Sequence, residues 1–188
     1  MTNKILFFDC ETTGLNPTKN DIIQISGIIE IDNKEADRFN IKMQPFNWDN
    51  IEQEALNVHG ISIEKLKEFQ KPDIAYREIV TLFDKHIDKY DKDDKFIVCG
   101  YNVRFDIDFL KEFFHKNGNE YLFSYFGQVK DPMQVINYLR TIGKIDVINS
   151  KLTSVCEYFN IDIGQAHDAM ADIVATKLVA EKLDDLLK

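Results

Sequence analysis

Four consecutive apolar residues, Ile5-Leu6-Phe7-Phe8, run straight into the carboxylates Asp9 and Glu11. A run with no polar alternation fits a strand covered on both faces, and such a strand requires a sheet with helices above and below it. The rest of the chain can supply them. Ile22 to Ile31 and Arg38 to Met43 are rich in β-formers and are separated by the turn-like Asp32-Asn33-Lys34, which predicts a hairpin. From Asp73 onward the period changes: Tyr76, Val80, Phe83 and Ile87 fall on one face of a helix. Phe96 to Cys99 reads as a short buried strand, followed by a helix from Phe105 to Lys116 that Asn117-Gly118 closes. Val129 to Asp131 reads as a last short strand, with helices over Met133 to Thr141, Leu152 to Phe159 and Ala169 to Leu187. The expected fold class is α/β: a mixed sheet with three leading strands, then alternating helices and strands, flanked by helices.

A chain of 188 residues with 44% hydrophobic and 29% charged residues suits one ordered domain over residues 1–188. Repeats and Gly/Ser linkers are lacking, and the charge-dense Asp91 to Lys95 reads as a loop. The N-terminal apolar run is too short for a signal peptide and no stretch reaches the ~20 residues of a membrane span, so a cytoplasmic protein without membrane contact is expected. Three dispersed cysteines without a CxxC pair argue against a disulfide framework or a zinc site. The net charge of −9 speaks against a protein that coats duplexes, which works by releasing counterions from phosphate. A local site survives that argument, because remote charges are screened beyond about 8 Å and cations invert the sign of an acidic pocket.

The informative residues are acids in hydrophobic positions. Asp106 extends backward the stripe of Phe109, Leu110 and Phe113, and Asp172 lies within the stripe of Ala169, Ala175, Val179, Leu183 and Leu186. Burying an unpaired carboxylate is costly, so each needs a counter-ion or a shifted pKa. Asp9 and Glu11, two apart on a strand, share a face, while Cys10 points to the other. Sites in α/β sheets form beyond the carboxyl ends of strands, where both Asp9 and the Asn102 to Asp106 segment fall. Four carboxylates match two hard divalent cations such as Mg²⁺ or Mn²⁺, which clamp the oxygens of a phosphoryl displacement. His167, five positions before Asp172, fits a loop residue leaning over the acids, and an imidazole of ordinary pKa ~6.5 suits a general base. Blander readings exist: Asp9 and Glu11 as a strand-end turn, Asp106 as a helix cap, and His59, His86 and His115 as ordinary loop or helix-end residues.

At these residues the chain resembles a family. Phe8-Asp9-Cys10-Glu11-Thr12-Thr13-Gly14-Leu15, Asn102-Val103-Arg104-Phe105-Asp106 and His167-Asp168-Ala169-Met170-Ala171-Asp172 are similar, in order, to the three motifs of DnaQ-like, DEDDh-type 3′-to-5′ exonucleases. Weaker similarity covers Val58 to Ile61, Asp131-Pro132-Met133 and Lys151-Leu152. The resemblance implies a ribonuclease H-like fold and hydrolysis of single-stranded DNA or RNA 3′ ends to nucleoside 5′-monophosphates. It implies that Asp9 bridges two ions, that Glu11 and Asp172 hold the ion on the side of the attacking water, and that Asp106 serves the other. It further implies substrate contacts from Thr12, Thr13, Leu15, His59 and Asn102. Tyr101 departs from the histidine of many relatives, which touches pocket detail rather than the acids. A proofreading subunit tied to a DNA polymerase and a non-catalytic binding module are the alternatives. The last motif helix ends close to Lys188 and leaves no evident tail for a polymerase. A homodimer is left open.

Overall fold

The computed structural model describes residues 2–162 and 169–188. It contains a five-stranded sheet of order β3-β2-β1-β4-β5, built from β1 (Lys4–Thr12), β2 (Ile22–Ile31), β3 (Lys34–Lys42), β4 (Phe96–Cys99) and β5 (Phe126–Lys130). The first three strands pair antiparallel, and β4 and β5 add in parallel to β1. The hairpin turns at Asp32 and Asn33, both left-handed at φ 50° and 63°, a two-residue turn whose twist suits a hairpin. β3 therefore starts four residues earlier than the apolar pattern predicts. Its Lys34, Glu35, Arg38, Asn40 and Lys42 are exposed and only Phe39 and Ile41 turn inward, so half the strand carries no apolar signal.

Between β3 and β4 lie α1 (Gln53–His59), α2 (Ile63–Glu68) and α3 (Pro72–His86). The first two are absent from the sequence reading, because each buries one residue only, Leu56 and Leu66, which cover Ile23 in a small separate core. α4 (Arg104–Lys116) follows β4, and α5 (Pro132–Thr141), α6 (Leu152–Phe159) and α7 (Ala169–Leu186) complete the described elements. β5 begins at Phe126 rather than Val129, since its middle residues are exposed and show no alternation.

One face of the sheet packs Leu6, Phe8, Ile25, Ile29, Phe96 and Val98 against α3 and α4. Phe83 of α3 anchors it, with ring centroids 5.4 Å from Tyr125 and 5.6 Å from Phe96; such pairs add about 0.5 to 1.5 kcal/mol each beyond area burial. The other face packs Phe7, Ile28 and Cys99 against Ile173 and Ala180 of α7, and α7 shares a further core with α5 and α6. Leu186 departs from its expected inward stripe and is exposed. All three cysteines are buried free thiols. His86 reaches across 49 positions of sequence to pair with Asp37, and His115 pairs with Glu120, so both histidines have the acidic partners that their helices alone do not reveal. Among the described residues no helix is long and apolar enough to cross a membrane.

Candidate active site

Strand alternation decides where the first acids point. Leu6, Phe8 and Cys10 face the α3/α4 layer, so Asp9 and Glu11 continue the row of Ile5 and Phe7 toward α7. Across the antiparallel pairing Asp9 lies opposite Ser26 and Glu11 opposite Gln24, two buried polar residues joined by a 3.3 Å hydrogen bond. The parallel partner brings in the next acid: Phe7 lies beside Cys99, so the chain leaving β4 emerges level with Asp9. Gly100 allows this close approach, since a Cβ there would stand 2.9 Å from the Phe8 carbonyl oxygen and 2.7 Å from Val103 Cγ2.

The backbone then turns through Asn102 in a left-handed conformation, φ 62°, and enters α4. Asp106 is 3% exposed and its Oδ1 accepts a 3.0 Å hydrogen bond from the Cys10 N–H, so the acid is fastened to β1 between Asp9 and Glu11. From the opposite layer, α7 presents Asp172 directly before Ile173, which packs on Phe7.

Electrostatics register this convergence. Burial first, then Asp106, Glu11 and Asp172, hold the Asp9 carboxyl well above the usual carboxylate range. Burial pushes Asp106 up to about 8, against the lowering effect of the Cys10 and its own backbone N–H groups and with a further rise from Glu11 and Asp131. Its own burial first, and then the same carboxylate field, raise the Cys10 thiol, which keeps it protonated and unfit as a nucleophile. Among the described residues no three or more His, Cys, Asp or Glu form a ready-made metal cage; the four acids share one field without closing on one point. An oxygen-only donor set under mutual repulsion fits a hard divalent cation better than a thiophilic one.

The other expected residues differ in position. Thr13 is fully buried and its hydroxyl accepts the Asp21 N–H at 2.9 Å, while the Thr12 hydroxyl donates to the Gly14 carbonyl at 2.7 Å. Both side chains thus hold the turn after β1, and Leu15 is left 78% exposed at its tip. His59 ends α1 with Nδ1 accepting from the Ile61 N–H, and its buried Nε2 has no hydrogen-bond partner among the described residues. Burial lowers its pKa, opposed by the Thr12 backbone, which puts the ring beside the same turn. His167 lies outside the described residues, as does Asp168.

Asp131 escaped sequence reasoning as a site residue. Its Oδ1 accepts both the Met133 N–H, capping α5, and the Asn102 N–H at 3.1 Å. Its place before Pro132 reads as a helix cap, and that signal is complete without the second bond.

The RNase T exonuclease family model matches residues 6–180. The chain belongs to the exonuclease family. Its curated relatives include the PolC-type DNA polymerase III of Listeria monocytogenes, 27% identical over 176 residues that cover 94% of this chain and 11% of that protein. The Ureaplasma parvum PolC-type enzyme is 27% identical over 173 residues, with 90% of this chain and 11% of that protein covered. This exonuclease-family chain thus spans about a tenth of the length of those relatives. Among solved structures, the zinc-bound form of an E. coli exonuclease I–ssDNA complex superposes over 100% of this chain and 43% of that one, with TM-score 0.80 and 21% identity. Exonuclease I with a dT13 oligonucleotide gives 0.77 over 96% and 40%, at 20% identity. These likenesses establish the ribonuclease H-like fold, the five-stranded mixed sheet with flanking helices.

Proposed function

We propose that residues 1–188 act as one 3′-to-5′ exonuclease domain that hydrolyses the terminal phosphodiester of single-stranded nucleic acid and releases nucleoside 5′-monophosphates. The observation that carries the reading is the Asp9 carboxyl, desolvated and pressed by Asp106, Glu11 and Asp172 from three separate elements. A fold gains nothing in stability from such an arrangement unless something positive occupies it. Two Mg²⁺ or Mn²⁺ ions, when bound, neutralise the acids and stabilise charge on the attacking and leaving oxygens. Asp9, Glu11, Asp106 and Asp172 would hold the ions, Glu11 and Asp172 on the side of the attacking water and Asp106 on the side of the leaving group. His167 takes the proton from that water. The turn of Thr12 to Leu15, with His59 beside it, and Asn102 seat the terminal nucleotide. The single-stranded DNA in the exonuclease I complex supports the substrate class, and the PolC-type relatives support a link to a DNA polymerase as the second reading.

An oligonucleotide labelled at its 5′ end should shorten stepwise from the 3′ end with Mg²⁺ or Mn²⁺ and stay intact in chelator. Absence of metal-dependent cleavage on DNA and on RNA ends the proposal, and cleavage only after addition of a polymerase selects the second reading.

Linkage gives a prediction independent of turnover. Both Asp9 and Asp106 have folded-state pKa values raised above the ordinary carboxylate value of about 4. The folded form therefore binds protons more tightly than the unfolded form, and stability is lost as pH rises from about 4 through the value of about 8 at Asp106. Ions compete with those protons, so their stabilisation grows with pH. Thermal melts in chelator should decline from acid to alkaline pH, with Mg²⁺ raising Tm more above pH 8 than below pH 6. A Mg²⁺ shift independent of pH would remove the acids from ion binding.

A further inference from the structure

A second concave site lies outside the acid cluster. Tyr76, Lys89, Tyr90, Asn119, Tyr121 and Tyr125 line a cavity of about 590 Å³ between the exits of α3 and α4 and the start of β5. Four of the seven tyrosines of the chain meet there. Tyr90 and Tyr121 are 89% and 73% exposed, which is unusual for large rings that have a core available. The Lys89 ammonium stands 5.9 Å from the Tyr90 ring centroid and 6.0 Å from that of Tyr125. Its bond to Asp84 uses one of three donors.

The end of α4 joins the cavity to the turn that follows β1. Thr13 binds Asp21 through backbone and hydroxyl, and Lys116 at the end of α4 donates to the Asn20 carbonyl and to Asp21. Lys116 also stands 5.9 Å from the ring centroid of Phe46, which is exposed, as is Trp48. Asn117 to Asn119, on the cavity rim, follow Lys116 directly in the chain, and Asn119 Nδ2 donates to the Tyr76 hydroxyl at 2.6 Å. Lys116 and the three residues after it thus link Asp21 and Phe46 to the rim of the tyrosine cavity.

Exposed rings beside ammonium groups match the way proteins hold single-stranded nucleic acid without reading its sequence: bases stack and lysines meet phosphates. We infer that the tyrosine cavity is a base-stacking subsite for the single strand upstream of the 3′ end, which rests on the exonuclease reading and gives it a length preference. The net charge of −9 limits counterion release, so stacking rather than phosphate contact dominates there and the binding is only weakly sensitive to salt.

The test compares fluorescent oligothymidylates of about three and about fifteen nucleotides by anisotropy in chelator, with cleavage of the same pair in Mg²⁺ measured separately. The full chain should bind the long strand at least about tenfold tighter than the short one. Tyr90→Ala with Tyr121→Ala should abolish that advantage, and Tyr90→Phe with Tyr121→Phe should retain it, since both rings persist; unchanged circular dichroism certifies the folds. An equal affinity for both lengths, a length advantage that survives the alanine pair, or saturation of the cavity by a proline-rich peptide with no effect of oligonucleotide overturns the subsite. A length advantage lost in the alanine pair, without cleavage of any strand, keeps the subsite and sinks the nuclease reading; cleavage indifferent to length and to the tyrosines does the reverse.

Discussion

Asp9→Asn should lower exonuclease turnover on the order of a thousandfold or more while making the metal-free protein more resistant to heat. The two effects have one cause. The native carboxyl is desolvated and surrounded by three others, so its charge opposes folding until cations arrive. Asparagine keeps the shape and removes the charge, so melts in chelator near pH 9 should shift upward, and added Mg²⁺ should raise Tm less than in the parent. End-label assays and thermal melts on the same preparation check both halves. Turnover within about tenfold of the parent would take Asp9 out of the chemistry, and an unchanged or lowered metal-free Tm would contradict the electrostatic account.

Gly100→Ala should cost about 1 to 3 kcal/mol of stability and reduce turnover roughly a hundredfold, although residue 100 carries no functional group. The added methyl would stand 2.9 Å from the Phe8 carbonyl oxygen and 2.7 Å from Val103 Cγ2. A strand carbonyl in the middle of a sheet cannot retreat, so the loop from β4 to α4 must move, and Asp106 moves with it. Denaturant unfolding together with kcat measures the two effects. Parent-like values of both would mean that the approach of this loop to β1 is looser than its geometry indicates.

How much of this was legible beforehand varied with the physical source of each signal. The buried strands declared themselves, β4 through an unbroken apolar run and β2 through its density of isoleucines, so both have the bounds the pattern predicts, and α6 likewise. Elements lying at the margin were misread or missed. β3 shows its polar half to solvent, and α1 and α2 need one leucine each to stay in place, too little for a helical period to emerge. At the candidate site, the acids were visible because each interrupts a hydrophobic pattern, and their family motifs gave them an order. Asp131 was invisible in its wider role because a capping aspartate before proline already looks explained, and its bond to Asn102 spans 29 positions. The pairing of His86 with Asp37 was out of reach for the same reason, since sequence periodicity carries no information across such separations.

The outermost strand of the hairpin has a consequence for behaviour at high concentration. β3 lies at one end of the strand order, and its exposed side chains include Lys34, Glu35, Arg38 and Lys42. Charges in such a row would have to be stripped of water before a foreign strand could dock along it, so this border is a poor template for amyloid-like growth or for a sixth strand lent by a second copy. Self-association, where it occurs, has to use a surface other than this border.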